Sequence, residues 1–428
     1  MDNLIADVIG DVALVLVFSS LLGAVARKCG QPAVVGQIVA GIFFGPSVLG
    51  RLPGHLTSRL FPHAVLPYLS VISQVAVAIF MFVVGYELNR KSFRHGYRPA
   101  VLVAVAALLV PMLLGSGSSV LFKSTFISLG ESHFGHSFIL FMAVATSITA
   151  LPVLAAIMRE RGISGTMAGV TATAAAGIMD VAAWIVLAAA LVGTADKASR
   201  PWPLTLAFIV AFAAFMLLGV RRGLTWWISQ PRAVFTNQLP VALALTLGSA
   251  WVTASLGLHP VFGGLLAGLT MPGNKDGTPD PDVLRPMEDV SGVLLPLFFV
   301  VTGLSVNIGA FGRSAFLVLA LLFVIATAGK IGPGYAAARA GGLDRKDAAT
   351  VAALVNTRGL TELIALNIGL SSGLLSPRLF SVLVVMAILT TLMTAPLLSL
   401  IRPRTAVPQA DRASAASAVG AGEHDNAR

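Results

Sequence analysis

The sequence predicts an all-α polytopic membrane protein with about thirteen transmembrane helices. Three observations carry that reading. The 428 residues are 56% hydrophobic and only 11% charged, where a soluble chain would hold about 25% charged residues. Mean hydropathy is +0.86, too apolar for a soluble surface. Apolar runs close to the ~20 residues needed to cross a bilayer recur along the chain. Their ends are marked by glycine, proline and short clusters of basic residues.

The elements follow in order from those breaks. Span 8–26 ends at Arg27 and Lys28, 33–50 at Arg51, and 66–88 at the basic run Arg90, Lys91, Arg94 and Arg98. Span 99–118 precedes Lys123, 137–158 precedes Arg159 and Arg161, and 166–192 precedes Lys197 and Arg200. Span 201–220 closes at Arg221 and Arg222, and 238–256 is separated from 258–271 by a very short turn. Span 288–306 follows Lys275 and Arg285, and 314–337 lies between Arg313 and Arg339. Spans 347–371 and 379–400 flank Arg378. The second, ninth and tenth spans are short or rich in glycine and proline.

Orientation follows from the basic residues, which favour cytoplasmic loops. With the N-terminus outside, 20 of the 29 Lys and Arg residues fall on the cytoplasmic side and 7 outside, while Lys330 and Arg358 lie within spans. The reading is N-out and C-in, a multi-pass protein of the cell membrane. Residues 1–402 form the transmembrane domain. The Ala/Ser-rich stretch 403–428 reads as a disordered cytoplasmic tail. It is too short for a nucleotide-binding regulatory domain. The acidic start, Met1 to Asp7, has neither the basic region nor the cleavage site of a removable signal peptide.

Several classes fall away. A single cysteine, Cys29, excludes an internal disulfide or a Cys-based metal centre within one chain. The net charge of +10 comes from loops between apolar runs and is a topology signal, so no nucleic-acid partner is expected. There is no nucleophile elbow and no His-rich constellation. The protein does not read as an enzyme, and no cofactor is implied.

The chain also echoes itself. Ile79-Phe-Met-Phe-Val-Val-Gly-Tyr-Glu-Leu-Asn89 resembles Leu297-Phe-Phe-Val-Val-Thr-Gly-Leu-Ser-Val-Asn307. Ala40-Gly41 and Gly45-Pro46 match Ala267-Gly268 and Met271-Pro272. The displacement is seven spans, and an odd number inverts the second copy. Inverted repeats are a transporter architecture with the site near the midplane.

An ionisable side chain near the bilayer centre costs at least ~2.5–3.5 kcal/mol, so each needs a reason. Asp180 sits among small residues, Thr171-Ala-Thr-Ala-Ala-Ala-Gly-Ile-Met-Asp180. There it can hold a desolvated monovalent cation when ionised and a proton when neutral, so the two compete. Lys330, in Ala326-Thr-Ala-Gly-Lys330, is its expected ion-pair partner and releases it when a cation or proton binds. In the fifth span, Thr146, Ser147 and Thr149 precede Pro152, which removes an N–H and favours a helix break. The hydroxyls and freed carbonyls are hard oxygen ligands for Na⁺ or K⁺. In Asn356-Thr-Arg-Gly-Leu-Thr-Glu362, Arg358 and Glu362 are spaced to pair on one helix face. Glu87 closes the third span near the interface, where snorkelling or capping accounts for it. Crossed half-helices from the two repeats would then frame the site, with charged side chains neutralising their terminal dipoles.

These motifs, running from Gly41-Ile-Phe-Phe-Gly-Pro-Ser-Val-Leu-Gly-Arg51 and Phe82-Val-Val-Gly-Tyr-Glu-Leu88 through Thr146-Ser-Ile-Thr-Ala-Leu-Pro-Val-Leu154, Met179-Asp-Val-Ala-Ala-Trp184 and Ala328-Gly-Lys330 to Asn356-Thr-Arg-Gly-Leu-Thr-Glu-Leu363, occur in order. Together they resemble the monovalent cation:proton antiporter family, in the branch of plant cation/H⁺ exchangers and bacterial potassium-efflux antiporters. The resemblance implies a homodimer with a dimerisation domain, a mobile core domain, crossed broken helices and elevator-type alternating access. It makes Asp180 the shared cation/proton carboxylate and Lys330 the core lysine, and places Thr146 and Ser147 in the broken-helix ligand set. One departure matters. Relatives carry a second carboxylate or an amide before the Asp, and here that residue is Met179. A single carboxylate predicts electroneutral one-for-one exchange of K⁺ or Na⁺ for H⁺. The competing reading is a proton-driven exporter of an organic ion or drug on the same scaffold.

Overall fold

A computed structural model describes residues 2–53, 56–87, 97–131, 134–192, 202–228, 238–256, 259–274 and 278–402. The expected tail, 403–428, and most of the basic run after the third span lie outside the described residues. The regular secondary structure of the described residues is helical, because a chain surrounded by lipid must satisfy its backbone groups internally.

The helices in chain order are α1 (Asp2–Lys28), α2 (Ala33–Phe44), α3 (Leu56–Leu60), α4 (Leu66–Glu87), α5 (Tyr97–Leu121), α6 (Lys123–Ser128), α7 (His136–Ser147), α8 (Leu151–Arg161) and α9 (Met167–Val192). They continue as α10 (Trp202–Ala214), α11 (Arg221–Ile228), α12 (Leu239–Ser255), α13 (Pro260–Thr270), α14 (Pro281–Leu304), α15 (Arg313–Ala340), α16 (Arg345–Val355), α17 (Leu360–Ser371) and α18 (Pro377–Ile401). Among the described residues, 9 helical segments are long and apolar enough to cross a membrane. The other four expected spans fall on the short helices α12 and α13 and on the interrupted pairs α7/α8 and α16/α17.

Two boundaries move for identifiable reasons. The tenth span, expected from residue 288, starts at Pro281, because the Asp280 side chain caps the helix by accepting from the Asp282 amide at 3.0 Å. The seventh is not one regular helix: a π-helical turn, Phe215–Val220, joins α10 to α11.

The helices sort into two groups. In the first, α1, α2, α4, α12, α13 and α14 pack on one another, and in the second α5, α7, α8, α9, α15, α16, α17 and α18 do so. The echo seen in the sequence reappears in the first group as a pair of matched contacts. Gly41 of α2 lies against the Val300 carbonyl and Gly303 of α14, so close that a Cβ would not fit. Gly268 of α13 lies equally close to the Phe82 carbonyl of α4, and Gly85 of α4 against the Leu265 carbonyl of α13. The second contact is the first with each helix replaced by its repeat counterpart. Small residues permit this backbone approach between apolar helices.

Candidate functional site

Both interruptions fall inside the second group. After Ser147 the chain leaves helical geometry, with Ile148 extended at φ −60° and ψ 145°, and α8 begins at Leu151. Pro152 lies in the first turn of α8, where its missing N–H costs nothing. The second break, Asn356–Gly359, turns on Gly359 at φ 154° and ψ −122°, which favours glycine. A Cβ there would also press on Val153 at 2.8 Å.

The two breaks are stitched to each other. The Ala150 amide donates to the Thr357 carbonyl at 3.0 Å. Thr149 Oγ1 donates to the Val355 carbonyl at 3.0 Å, and Thr361 Oγ1 to the Thr149 carbonyl at 3.2 Å. From α18, Thr391 Oγ1 donates to the Arg358 carbonyl at 2.6 Å. Each bond returns a partner to a backbone group that the interruption freed, and a freed group deep in the membrane otherwise costs several kcal/mol.

Two buried cations complete that accounting. Arg358 Nη1 donates to the Ala145 carbonyl at 2.7 Å, and Nη2 to the Thr146 carbonyl. Lys330 Nζ donates to the Ile148 carbonyl at 2.6 Å, to the Val355 carbonyl at 3.3 Å and to Thr149 Oγ1. These carbonyls belong to the C-terminal ends of α7 and α16, where a helix presents partial negative charge. Glu362 sits in the first turn of α17, at the positive end of that half-helix, and holds Arg358 Nη1 at 2.6 Å. Arg358, Glu362 and Lys330 are all fully buried.

Asp180 stands apart. It lies midway along α9, 1% exposed, and neither carboxylate oxygen makes a hydrogen bond. It faces the Leu151 amide at the start of α8 and is within electrostatic range of Lys330. Lys330 does not contact it, however: the ion pairs among the described residues are Arg358–Glu362 and Arg402–Asp347. The expected Asp180–Lys330 bridge is thus not formed in this conformation, because the ammonium is spent on three oxygens of the breaks. Met179 Sδ approaches Thr149 Oγ1 at 3.9 Å, which places Asp180's helix beside the first break.

The three hydroxyls read as ligands are all engaged. Thr146 Oγ1 turns onto the carbonyls of Pro111 and Met142 at 2.9 Å, and Ser147 Oγ onto that of Val144 at 3.1 Å. Thr149 bonds Val355 and Lys330 as described. Around the breaks, buried oxygens without partners are found instead at Asp180, on Thr357, on Asn356 Oδ1 and on Glu362 Oε2. Asn356 and Thr357 were visible only as part of a motif, and Thr391 carries no sequence signal at all. Asp11, buried in α1 with Oδ2 unpartnered, is a further membrane carboxylate that its position inside the first span could have flagged.

A buried carboxylate beside two interrupted helices, in a bundle of apolar spans with repeat-related contacts, marks a multi-pass membrane protein with a charged, polar centre. The chain belongs to the sodium/hydrogen exchanger family: the family model described as "Sodium/hydrogen exchanger, transmembrane" matches residues 14–400. It is 35% identical to Cation/H(+) antiporter 20 of Arabidopsis thaliana over 90% of this chain and 47% of that one. It is 33% identical to Na(+)/H(+) antiporter NhaS4 of Synechocystis over 94% of this chain and 99% of that one. The chain therefore spans about half the length of the plant relative and nearly all of the cyanobacterial one. The fold is that of the sodium proton antiporter MjNhaP1 of Methanocaldococcus jannaschii, with TM-score 0.66, 15% identity, and coverage of 94% of this chain and 99% of that one. The family is one of transporters, not enzymes.

Proposed function

We propose that this protein exchanges a monovalent cation, K⁺ or Na⁺, for H⁺, electroneutrally and one for one, by elevator-type alternating access. The observation that carries the reading is Asp180: a carboxylate buried in the membrane with both oxygens unbonded, beside the paired helix breaks. Such a group needs a counter-ion or a proton, and either satisfies it. Binding one excludes the other, which couples the two flows. The name of the cyanobacterial relative supports Na⁺ among the substrates.

In this scheme the breaks are crossed half-helices of inverted repeats. Arg358, Glu362 and Lys330 hold their terminal charges, so that Asp180 is the single group whose charge changes. Thr357 and Asn356 join Thr146, Ser147 and Thr149 as candidate oxygen donors around the ion. The second helix group is the mobile core, and the first is the scaffold through which two copies dimerise in the cell membrane, N-terminus out and C-terminus in.

The test is proteoliposome exchange followed by a trapped pH dye, with pulses of K⁺, Na⁺ and an organic cation. Dye dequenching on K⁺ or Na⁺ that disappears in Asp180→Asn is the expected result. A response to the organic cation alone would overturn the reading.

A further inference from the structure

Between the two helix groups lies a small cavity of about 100 Å³, lined by both polar and apolar side chains. Gln74 of α4, His259 at the start of α13 and Thr302 of α14 line it from one group, and Ile364, Asn367 and Ser371 of α17 from the other. Ser371 is exposed and ends α17, so the cavity is open at the helix end that the N-out topology places outside. Across it, Asn367 Nδ2 donates to Thr302 Oγ1 at 2.8 Å, joining the groups directly.

One helical turn below His259, Phe262 meets Trp184 of α9 edge-on, with ring centroids 5.7 Å apart and planes at 88°. Trp184 is 3% exposed and lies four residues, one turn, beyond Asp180 towards the same side. The order along the path is therefore cavity, aromatic pair, carboxylate. These two cross-group contacts, one neutral hydrogen bond and one ring contact, are of a kind that can break and reform in each cycle; Gln31 to the Leu392 carbonyl and the Asn307 amide to Ser381 also cross between the groups. The Trp184 indole N–H has no acceptor while the contact is closed, so water entering on opening would satisfy it.

We propose that the cavity is the outer vestibule of the transport path, and that the Trp184–Phe262 contact, held by the Asn367–Thr302 hydrogen bond, is the gate that seals it above Asp180. The proposal rests on the exchange reading and the N-out topology, and its test reads access instead of flux.

In a Cys29→Ser background, reporter cysteines are placed at Ser371, on the rim, and at Met179, beside the carboxylate. Sealed vesicles free of K⁺ and Na⁺ receive a membrane-impermeant cationic thiol reagent on the face where Ser371→Cys reacts. With the gate intact, Met179→Cys reacts at least tenfold more slowly than Ser371→Cys. Adding Trp184→Ala, or Phe262→Ala from the opposite helix, raises Met179 labelling at least tenfold and leaves the rim rate unchanged. Asn367→Ala raises it about threefold. Trp184→Phe, which keeps a ring and the fold, restores slow labelling. Unchanged Met179 labelling in whichever aromatic variant folds overturns the gate. Labelling requires no turnover, so a chain that shows the gate but no dye response would refute the exchange reading and leave the gate standing.

Discussion

At the residue scale, Asp180 and Lys330 part company. Both are buried and ionisable, on α9 and α15, yet Lys330 is bonded to the ends of α7 and α16 whereas no side chain holds Asp180, whose facing donor is the Leu151 amide. Asp180→Asn should therefore abolish cation-dependent proton flux and leave the protein folded, because an amide matches the carboxylate in size but cannot exchange a proton for a cation. Melting temperature within a few degrees of the parent, with flux at the empty-liposome level, is the expected pair of measurements. Flux at a rate comparable to the parent would remove Asp180 from the carrier role. Lys330→Ala should do the opposite to stability. It strips a donor from two backbone carbonyls and one hydroxyl, at a cost of about 1–3 kcal/mol for each group left buried and unbonded. Lys330→Gln, whose amide still donates, should recover part of the lost melting temperature. If Ala and Gln melt alike and like the parent, the lysine is not a cap.

At the scale of elements, the helix breaks are a single device. Their carbonyls, hydroxyls and charged side chains cross from one interruption to the other, so damage to one should propagate. Gly359→Ala forces a Cβ into a positive-φ position and against Val153, a strain of order 1–3 kcal/mol. The variant should melt several degrees lower, measured in detergent by tryptophan fluorescence. Glu362→Gln removes one partner of a fully buried ion pair and leaves Arg358 uncompensated, which costs about 3–5 kcal/mol in comparable buried pairs. A thermal shift smaller than that of Gly359→Ala would show that the α7 carbonyls alone hold the arginine. The scaffold has its own critical spacing. Gly268→Val, pressed into the Phe82 carbonyl, should separate α13 from α4 and lower yield and melting temperature, whereas valine at Gly248, which faces open space, should be tolerated.

At the scale of the whole molecule, the two helix groups and the charge count make one joint prediction. Of the four ionisable groups buried around the breaks, Lys330, Arg358 and Glu362 are committed to them, which leaves Asp180 to carry either ion, and one carboxylate exchanging one proton for one monovalent cation moves no net charge. A cation jump on a solid-supported membrane should give current at the empty-liposome baseline while the pH dye responds. Sustained current that reverses with the cation gradient would require a second titrating carrier, with Glu362 or Lys330 as the candidate.

Much of this is legible in the amino-acid sequence alone. Apolar run length and basic loop ends located the helices, since crossing lipid imposes a length and a composition that few other constraints imitate. Pro152 marked the first interruption, because a missing N–H is a local property, and Gly359 with its charged neighbours marked the second. The repeated glycine motifs of α2, α4, α13 and α14 announced contacts that the fold makes. Partner choice was a different matter. Opposite charges in a sequence invite pairing, and on that ground Lys330 is the partner that the sequence favours for Asp180. Only the tertiary structure brings the freed carbonyls of α7 and α16 within reach of the lysine, and a backbone carbonyl carries no sequence signature. The same holds for Thr391, an ordinary threonine until α18 lays it beside Arg358, and for the Trp184–Phe262 contact, which joins residues 78 positions apart. Composition and local breaks determine where the chain crosses the membrane and where it must be interrupted. Which buried group satisfies which is decided by long-range packing, because hydrogen bonds act over about 3 Å and recognise neighbours in space, not in sequence.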